Sequence, residues 1–492
     1  MRNLFMSKTL CILSLCLITF CAIAQDDLPK DYLSKEFHAG RRAALRQAMP
    51  DNSVMLVLAY PTRNFSNDVD YFYHPNPDLY YFSGYREANS MLLIFKQPQT
   101  AADGSTYTEL LFVQKRNAKQ EQWTGKRLGV EGAKEKLGIK TSYNGEEFSN
   151  LNIDFSKFDK IIFDRFPDDM AKTSDEKPGL YDLVQQFKQK ATIPDDYSAD
   201  KRFDNQSYYK LTAGLREIKT PEEMVLLRKA VEISCEGQDE VMKAMHPDMS
   251  ELEIQGLHEY VHKKYGAEGV GYGSIIGSGE NGCTLHYEEN TKTRIGTSLV
   301  LMDVGAEYHG YSADVTRTVP AKGKFSPEEK IIYQLVYDAQ EAAFKLLKDG
   351  AKWADASKAA RDVIEDGLLK LGIIKDKKDG RKYYPHGLSH HIGLDVHDRG
   401  NYDSPLKKGM VITIEPGIYI PEGSDCDKKW WSIAVRIEDD ALITQNGFEL
   451  LSSFAPRSVE EVEKMMSQKS AVDDFKLPPL QSGSGSGQKK GF

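Results

Sequence analysis

The sequence predicts a protein of the mixed α/β (α+β) class with two domains. Its 492 residues exceed the length of one ordinary domain, and its 40% hydrophobic content is sufficient for buried cores. Short apolar, strand-like runs are interspersed with amphipathic, helix-like segments along the chain. We therefore expect a smaller mixed α/β domain at residues 25–205 and a larger domain at residues 210–465.

The smaller domain begins with an amphipathic segment, Tyr32–Met49, which predicts a helix ended by Pro50. Short apolar and aromatic runs between turn residues then predict strands. These runs are Val54–Ala59, Tyr80–Phe82, Met91–Phe95 and Glu109–Val113. The polar stretch Asp195–Tyr208 is interpreted as the linker to the larger domain.

The larger domain carries two complete helix-start signals. Thr220-Pro221-Glu222-Glu223 combines an N-cap threonine, a proline at the first helical position and a glutamate three residues after the cap, and Ser326-Pro327-Glu328-Glu329 repeats the pattern. Strand-like runs surround these helices. They are Ser298–Asp303, Val315–Val319, Met410–Ile414 and Ile433–Ile437.

The N-terminus has the features of a secretory signal peptide. Arg2 and Lys8 precede an uncharged run of 11 residues, Leu10–Phe20, and Ala22-Ile23-Ala24 offers a cleavage site. The alternative is a membrane anchor, but a helix needs about 20 apolar residues to span a bilayer. We therefore predict that residues 1–24 are removed, and that the protein is secreted or periplasmic with no stable membrane association afterwards.

Charge and cysteine content exclude several other classes. The formal net charge is −9, and no basic block is large enough to predict nucleic-acid binding. Outside the signal segment only Cys235, Cys283 and Cys426 remain, so no disulfide framework is predicted. Residues 470–492 are polar and end in a Gly/Ser-rich run, which predicts a flexible extension.

The first candidate site residues are two aspartates at the ends of apolar segments. If the intervening residues form a hairpin centred near Tyr308 and His309, Asp303 and Asp314 fall opposite each other. Opposed like charges repel across a sheet, so the pair favours a cation between them. An exposed hairpin with two solvated acids explains this pair alone equally well.

A second pair of acids favours the cation. Glu415 stands at the end of an apolar strand, and Glu438 lies inside another, with Arg436 two residues earlier on the same face. Carboxylates within apolar strands are costly unless they are paired or bind metal. Four such acids are harder to explain as surface charges than one.

A cluster of histidines follows in the same half of the chain. His386, His390, His391 and His397 occur within 12 residues, although the whole chain has only 11 histidines. We expect His391 to be a structural residue and the others to belong to a site. Four carboxylates with an imidazole form an oxygen-rich donor set that suits manganese, cobalt or iron(II), and two such ions about 3.5–4 Å apart can activate water for hydrolysis.

Across nearly the whole chain after the signal, the sequence resembles the aminopeptidase P family of the creatinase-like, pita-bread metallopeptidases. The resemblance is carried by several separate motifs in the family's order. They are Arg63-Asn64, Phe82–Tyr85, Gly277–Tyr287, Asp303-Val304-Gly305, Tyr311–Thr318, His386–His397, Glu415-Pro416-Gly417 and Arg436–Asp440. It implies a pita-bread catalytic domain of two related αβ halves around a curved sheet.

The resemblance also implies roles for individual residues. The implied metal ligands are Asp303, Asp314, His390, Glu415 and Glu438. The implied catalytic residues are His286, His386, His397, Arg436 and Glu415, the last of which would also handle the proton of the attacking water. The implied substrate-binding residues are Tyr272 in the proline pocket, His286, His397 and Tyr419.

The activity implied by the resemblance is hydrolysis of the bond between an N-terminal residue and a following proline by a metal-bridging hydroxide. Two divalent ions are implied, manganese first, with cobalt, iron or zinc as alternatives. A prolidase restricted to Xaa-Pro dipeptides would share the same ligands, and an inactive peptide-binding module would share the fold. Peptides with proline at position two are the expected partners, and a homo-oligomer is compatible with this reading.

A glycine-rich segment offers a different interpretation. Gly277–Gly282 matches the G-x-G-x-x-G pattern of dinucleotide-binding sites, with Asp303 about twenty residues further on. However, the residues after it do not resemble a helix start. We interpret the segment instead as a loop that carries His286 towards the site.

Overall fold

The computed structural model describes residues 31–172, 177–473 and 477. The predicted signal segment, residues 1–24, and most of the predicted tail, residues 470–492, lie outside this part of the chain. No helix within it is long and apolar enough to cross a membrane. The mixed α/β class is confirmed, and the predicted helix at the start of the smaller domain extends from Lys35 to Ala48.

The N-terminal part is built on a six-stranded mixed sheet in the order β6-β5-β4-β1-β7-β8. Its strands are β1 (Ser53–Leu58), β4 (Met91–Thr100), β5 (Thr106–Val113), β6 (Ser142–Asn144), β7 (Lys160–Ile162) and β8 (Phe203–Asp204), and a separate hairpin pairs β2 (Asn64–Ser66) with β3 (Val69–Asp70). The helices are α1 (Lys35–Ala48), α2 (Pro77–Ser83), α3 (Ala118–Thr124), α4 (Gly129–Lys136), α5 (Leu180–Ala191) and α6 (Asn205–Arg216).

Two predictions for the N-terminal part are wrong. Tyr80–Phe82 belongs to helix α2 rather than to a strand, because the Asn76 side chain caps the helix, Pro77 begins it, and Gly84 ends it at φ 75°. The interpreted linker is also partly regular structure. Phe203 is buried in β8, and Asp204 caps α6, which spans the gap between the two predicted domains.

The C-terminal part consists of several short antiparallel sheets covered by helices. The sheets have the orders β10-β11-β14, β13-β12-β9, β15-β18-β19 and β16-β17. The helices are α7 (Pro221–Ala244), α8 (Glu251–Lys264), α9 (Pro327–Phe344), α10 (Trp353–Lys370) and α11 (Val459–Met465). The strands are β9 (Gly269–Val270), β10 (Ile275–Ser278), β11 (Leu299–Val304), β12 (Ala306–Tyr308), β13 (Tyr311–Ser312), β14 (Val315–Pro320), β15 (Val411–Ile414), β16 (Gly417–Ile420), β17 (Ile433–Arg436), β18 (Asp439–Ile443) and β19 (Phe448–Leu450).

Both helix-start signals of the larger domain are confirmed. Thr220 and Ser326 each accept a hydrogen bond from the backbone N–H three residues later, and the glutamates at those positions bond back to the caps. Helix α7 packs on α8, and α9 packs on α10. Val336 of α9, Ile364 of α10 and Val435 of β17 are completely buried in one shared core. The helices therefore form the outer layer that supports the strands.

The hairpin that carries the two aspartates has a different register from the predicted one. Its turn lies at His309 and Gly310, so Asp303 pairs with Thr316 and not with Asp314. The two carboxylates are instead diagonal neighbours on one face of the hairpin. A Cβ atom at Gly305 would lie 1.9 Å from the carbonyl oxygen of Ala313, so only glycine permits the strands to approach this closely here.

Candidate active site

The predicted site residues converge on one open cavity of about 440 Å³ in the C-terminal part. It is lined by Tyr272, Ile275, Leu285, His286, Glu288, Asp303, Asp314, His386, Gly387, Ser389, His390, Val396, His397, Glu415, Arg436 and Glu438. Tyr419 is the one predicted site residue that is not part of the lining. Its hydroxyl lies directly behind the wall, bonded to His386 and Arg436.

Strand ends bring the acids together. Asp303 lies on β11, and Asp314 immediately precedes β14. Glu415 directly follows β15, and Glu438 stands between β17 and β18. The backbone N–H of Glu438 donates to the carbonyl of Thr316, which joins the two halves of the site at 3.1 Å.

The loop that carries His390 is attached to the strand that precedes Glu415. The backbone N–H of Thr413 donates to the carbonyl of His390 at 2.9 Å, and the N–H of Glu415 donates to the carbonyl of Leu388 at 2.9 Å. The positions of His390 and Glu415 are therefore coupled through the backbone, and neither depends on a flexible connection.

One imidazole and two carboxylates form a group with metal-binding geometry. Ligand atoms of Asp314, His390 and Glu438 all lie within 4.8 Å of one another. His390 Nε2 is 3.4 Å from Asp314 Oδ2, 3.6 Å from Glu415 Oε1 and 3.9 Å from Glu438 Oε1. Nδ1 of the same ring lies 3.0 Å from the carbonyl of His391. Donation from Nδ1 leaves the Nε2 lone pair directed at the acids, as in metal-ligating histidines.

The electrostatics of the acids also fit a cation. Burial raises the pKa of Glu415 to about 7, and burial together with the charge of Asp314 raises the pKa of Glu438 well above its usual range. Buried carboxylates crowded in this way disfavour one another's charged forms. Divalent ions would supply the missing positive charge, so the donor set fits two of them.

Asp303 is bonded on two sides. The hydroxyl of Tyr272 lies 2.6 Å from Asp303 Oδ1 and 2.6 Å from Asp314 Oδ1, so it can donate to either carboxylate. Arg436 donates to Asp303 Oδ2 at 2.5 Å. Tyr272, predicted to line the proline pocket, thus also orients the two aspartates.

A hydrogen-bonded chain orients His386. Arg436 donates to the hydroxyl of Tyr419 at 2.8 Å, and that hydroxyl lies 2.8 Å from His386 Nε2. Burial, and then the charge of Arg436, lower the pKa of His386 to about 4, so the ring is neutral near pH 7. His386 Nδ1 lies 3.5 Å from Glu415 Oε2, which places the ring beside the acids.

The other two predicted catalytic histidines face the opening of the cavity. His286 and His397 are both exposed, and the ring of His397 stacks edge-on against that of His390 at 4.4 Å. His391 is different. It is completely buried between Trp353 and Tyr402, in agreement with its predicted structural role.

The loop that carries His397 is held by a buried ion-pair network that the sequence did not reveal. Arg216 of α6 bonds Asp395 at 2.7 Å and also contacts Asp398, the two acids that flank His397. Its other nitrogen donates to Asp78 of α2 at 2.8 Å. No local motif predicts this network, because Arg216 is separated by about 180 residues from the acids it bonds in this loop.

Two other supporting residues stand within recognised motifs but were not singled out. The hydroxyl of Thr316 donates to Glu438 Oε2 at 2.6 Å, and Asp440 accepts from the backbone N–H of Asp314 at 3.1 Å. The glycine-rich segment behaves as interpreted. It is a 3-10 turn, Gly279–Cys283, after β10, and the chain then enters the cavity at His286.

Comparison with known proteins agrees with this geometry. The family model described as "Metallopeptidase family M24" matches residues 225–445, and that of the "Aminopeptidase P, N-terminal domain" matches residues 38–160. The fold and the site thus define the C-terminal part as an M24 metallopeptidase of the pita-bread type.

Individual relatives narrow this further. The Xaa-Pro aminopeptidase of Escherichia coli is 33% identical over 442 residues, which cover 87% of this chain and 96% of that protein. The structure of aminopeptidase PepP from Pseudomonas aeruginosa has a TM-score of 0.78 and 30% identity, and the match covers 89% and 99% of the two chains. Zinc-substituted aminopeptidase P of E. coli in complex with product has a TM-score of 0.77 and 32% identity, with 88% and 98% covered. The chain belongs to the aminopeptidase P family.

Proposed function

We propose that this protein is a metal-dependent aminopeptidase that hydrolyses the bond between an N-terminal residue and a following proline. The convergence of the acids and His390 on one cavity carries the proposal. Family membership and the Xaa-Pro aminopeptidase relatives support it. The same relatives disfavour the prolidase alternative, and the presence of every implied ligand disfavours an inactive binding module.

We propose two divalent ions held by Asp303, Asp314, His390, Glu415 and Glu438, with manganese as the native metal. Oxygen-rich donor sets suit manganese, cobalt and iron(II), and zinc remains an alternative because a zinc-substituted relative is known. When bound, such ions activate water and polarise a carbonyl. Activity of the stripped protein after addition of each ion in turn would identify the metal.

The side chains around this centre have separable tasks. Glu415 lines the cavity beside His386, where it can accept a proton from the attacking water. His386 is fixed by Tyr419 and Arg436, so it can hydrogen-bond the substrate carbonyl without reorganisation. His286 and His397, at the opening, are placed to contact the proline and the leaving nitrogen. Proline lacks an N–H, so the fit of its ring must replace that hydrogen bond.

A peptide series tests the activity directly. Gly-Pro-Gly should be cleaved after the first residue, and acetylation of its N-terminus should prevent cleavage. Replacement of proline by alanine should remove most of the rate. Cleavage of Gly-Pro with no cleavage of Gly-Pro-Gly would indicate a prolidase instead, and equal cleavage of Gly-Ala-Gly would contradict proline specificity.

We also propose that residues 1–24 act as a signal peptide and that the mature protein is secreted or periplasmic. The charged start, the short apolar run and Ala22-Ile23-Ala24 support this. N-terminal sequencing of the mature protein should begin at Gln25. A mature chain that retains Met1 would contradict the proposal, and light scattering on the same sample would measure the oligomeric state.

A further inference from the structure

The loop that follows β10 is fixed by a buried carboxylate. Glu251, in the first turn of α8, is completely buried. It accepts hydrogen bonds from the backbone N–H of Ser278 at 2.8 Å, from the amide of Asn281 at 3.0 Å and from the hydroxyl of Tyr287 at 3.0 Å. Since a buried acid with several donors strongly resists displacement, the loop has one well-defined conformation.

This loop directs two side chains into the active-site cavity. His286 and Glu288 both line it, whereas Tyr287 between them bonds Glu251. The far end of the loop is held by Asn290, which is completely buried and accepts from the backbone N–H of Ile276 at 2.9 Å. Glu288 is therefore a positioned residue of the cavity wall, although its own side chain is exposed.

The carboxylate of Glu288 lies against the backbone of Gly273. A Cβ atom at that glycine would lie 2.7 Å from Glu288 Oε2, so a larger residue there would displace the acid. Among the described residues, no lysine, arginine or histidine forms an ion pair with Glu288. The one arginine of the cavity lining, Arg436, already bonds Asp303.

We propose that Glu288 is a specificity-determining residue that favours peptides with a cationic side chain, lysine or arginine, next to the scissile bond. The inference rests on the proposed aminopeptidase function. The four acids of the metal centre are balanced by two divalent ions, so Glu288 remains as an unbalanced negative charge in the wall. A cationic side chain gains an ion pair with it, and an acidic side chain is repelled.

Proline occupies position two of the substrate, so the side chains free to vary beside the bond are those at positions one and three. A single fixed carboxylate reaches only one of them. The test is kcat/KM of the metal-loaded full chain for Xaa-Pro-Gly and Gly-Pro-Xaa, with lysine, leucine or glutamate as Xaa. We expect a lysine-to-glutamate ratio on the order of ten at one position, the product of attraction and repulsion of up to about five-fold each. High salt should reduce the ratio.

Variants assign the preference to Glu288. Glu288→Gln should bring the ratio close to one, and Glu288→Lys should reverse it. Gly273→Ala should weaken it, because the new methyl group displaces the carboxylate. Glu289→Gln is the matched control, since the adjacent glutamate is exposed but is not part of the cavity wall, and it should retain the full ratio.

Equal kcat/KM for lysine and glutamate peptides at both positions would overturn the proposal. A ratio that persists in Glu288→Gln, or that is lost equally in Glu289→Gln, would also overturn it. These results differ from failure of the aminopeptidase function, in which no Xaa-Pro peptide of the series is cleaved at all.

Discussion

Arg436 and Asp303 form a buried ion pair, in which the guanidinium donates to the carboxylate at 2.5 Å. Asp303 is thus compensated by the chain itself. The other three acids of the proposed metal centre have no lysine or arginine partner among the described residues. Divalent ions would therefore be needed chiefly for Asp314, Glu415 and Glu438, which makes the loss of any one of these acids informative.

We expect Glu438→Gln to abolish activity while the fold is retained. The substitution preserves volume and can keep a hydrogen bond to Thr316, but it removes the negative charge that would be shared between two ions. Metal analysis should show fewer than two ions per chain, and circular dichroism should be unchanged. Glu449→Gln, on the surface strand β19, is the control. Near-normal turnover with two bound ions would contradict the ligand assignment.

His286→Ala and His397→Ala should lower kcat without loss of metal. Both rings face the opening of the cavity rather than the group formed by Asp314, His390 and Glu438. A polarising or acid–base group contributes roughly 10²–10⁴-fold to the rate. Steady-state kinetics and metal analysis of the same preparations check this. Loss of metal from either variant would show that its histidine is a ligand.

Arg216→Met should destabilise the fold by about 3–5 kcal/mol, because it leaves the acids around this buried arginine without a partner. Asp398 would retain Lys219, but Asp78 and Asp395 would lose the contact that joins them. Chemical denaturation measures the change. Arg228→Met, which breaks an exposed pair with Glu449, should cost less than about 1 kcal/mol. Similar losses in both variants would contradict the importance of burial.

The free energy of unfolding should fall as the pH is lowered from about 6.5 towards about 4. His258 and His262 of α8 are buried, and no described group hydrogen-bonds their rings. Burial lowers the pKa of His262 to about 4 and that of His258 well below its usual value. The unfolded chain therefore binds protons in this range that the folded chain does not, so acid favours unfolding.

A double variant, His258→Leu with His262→Leu, should reduce that pH dependence. Leucine fills a similar volume and does not titrate, and removal of polar groups without partners costs little stability. Denaturation curves at a series of pH values, with the wild type measured in parallel, provide the comparison. An unchanged slope between the two proteins would contradict the assignment of these histidines.

The sequence by itself was sufficient for features set by local rules. The caps at Thr220 and Ser326 are complete within four residues, so the starts of α7 and α9 followed directly. Acids such as Glu415 and Glu438 are conspicuous because their neighbours in the chain are apolar, and burial of a charge there requires a partner. The resemblance then connected these residues into one predicted site.

Tertiary structure decided what depends on distant neighbours. The one-residue shift of the hairpin that separates Asp303 from Asp314 follows from its actual turn and pairing, which apolar runs alone did not specify. The partners of Arg216 and the placement of Glu288 in the cavity wall depend on contacts between segments far apart in the chain. Local sequence records which residues need partners, but only the packed chain determines which partners they find.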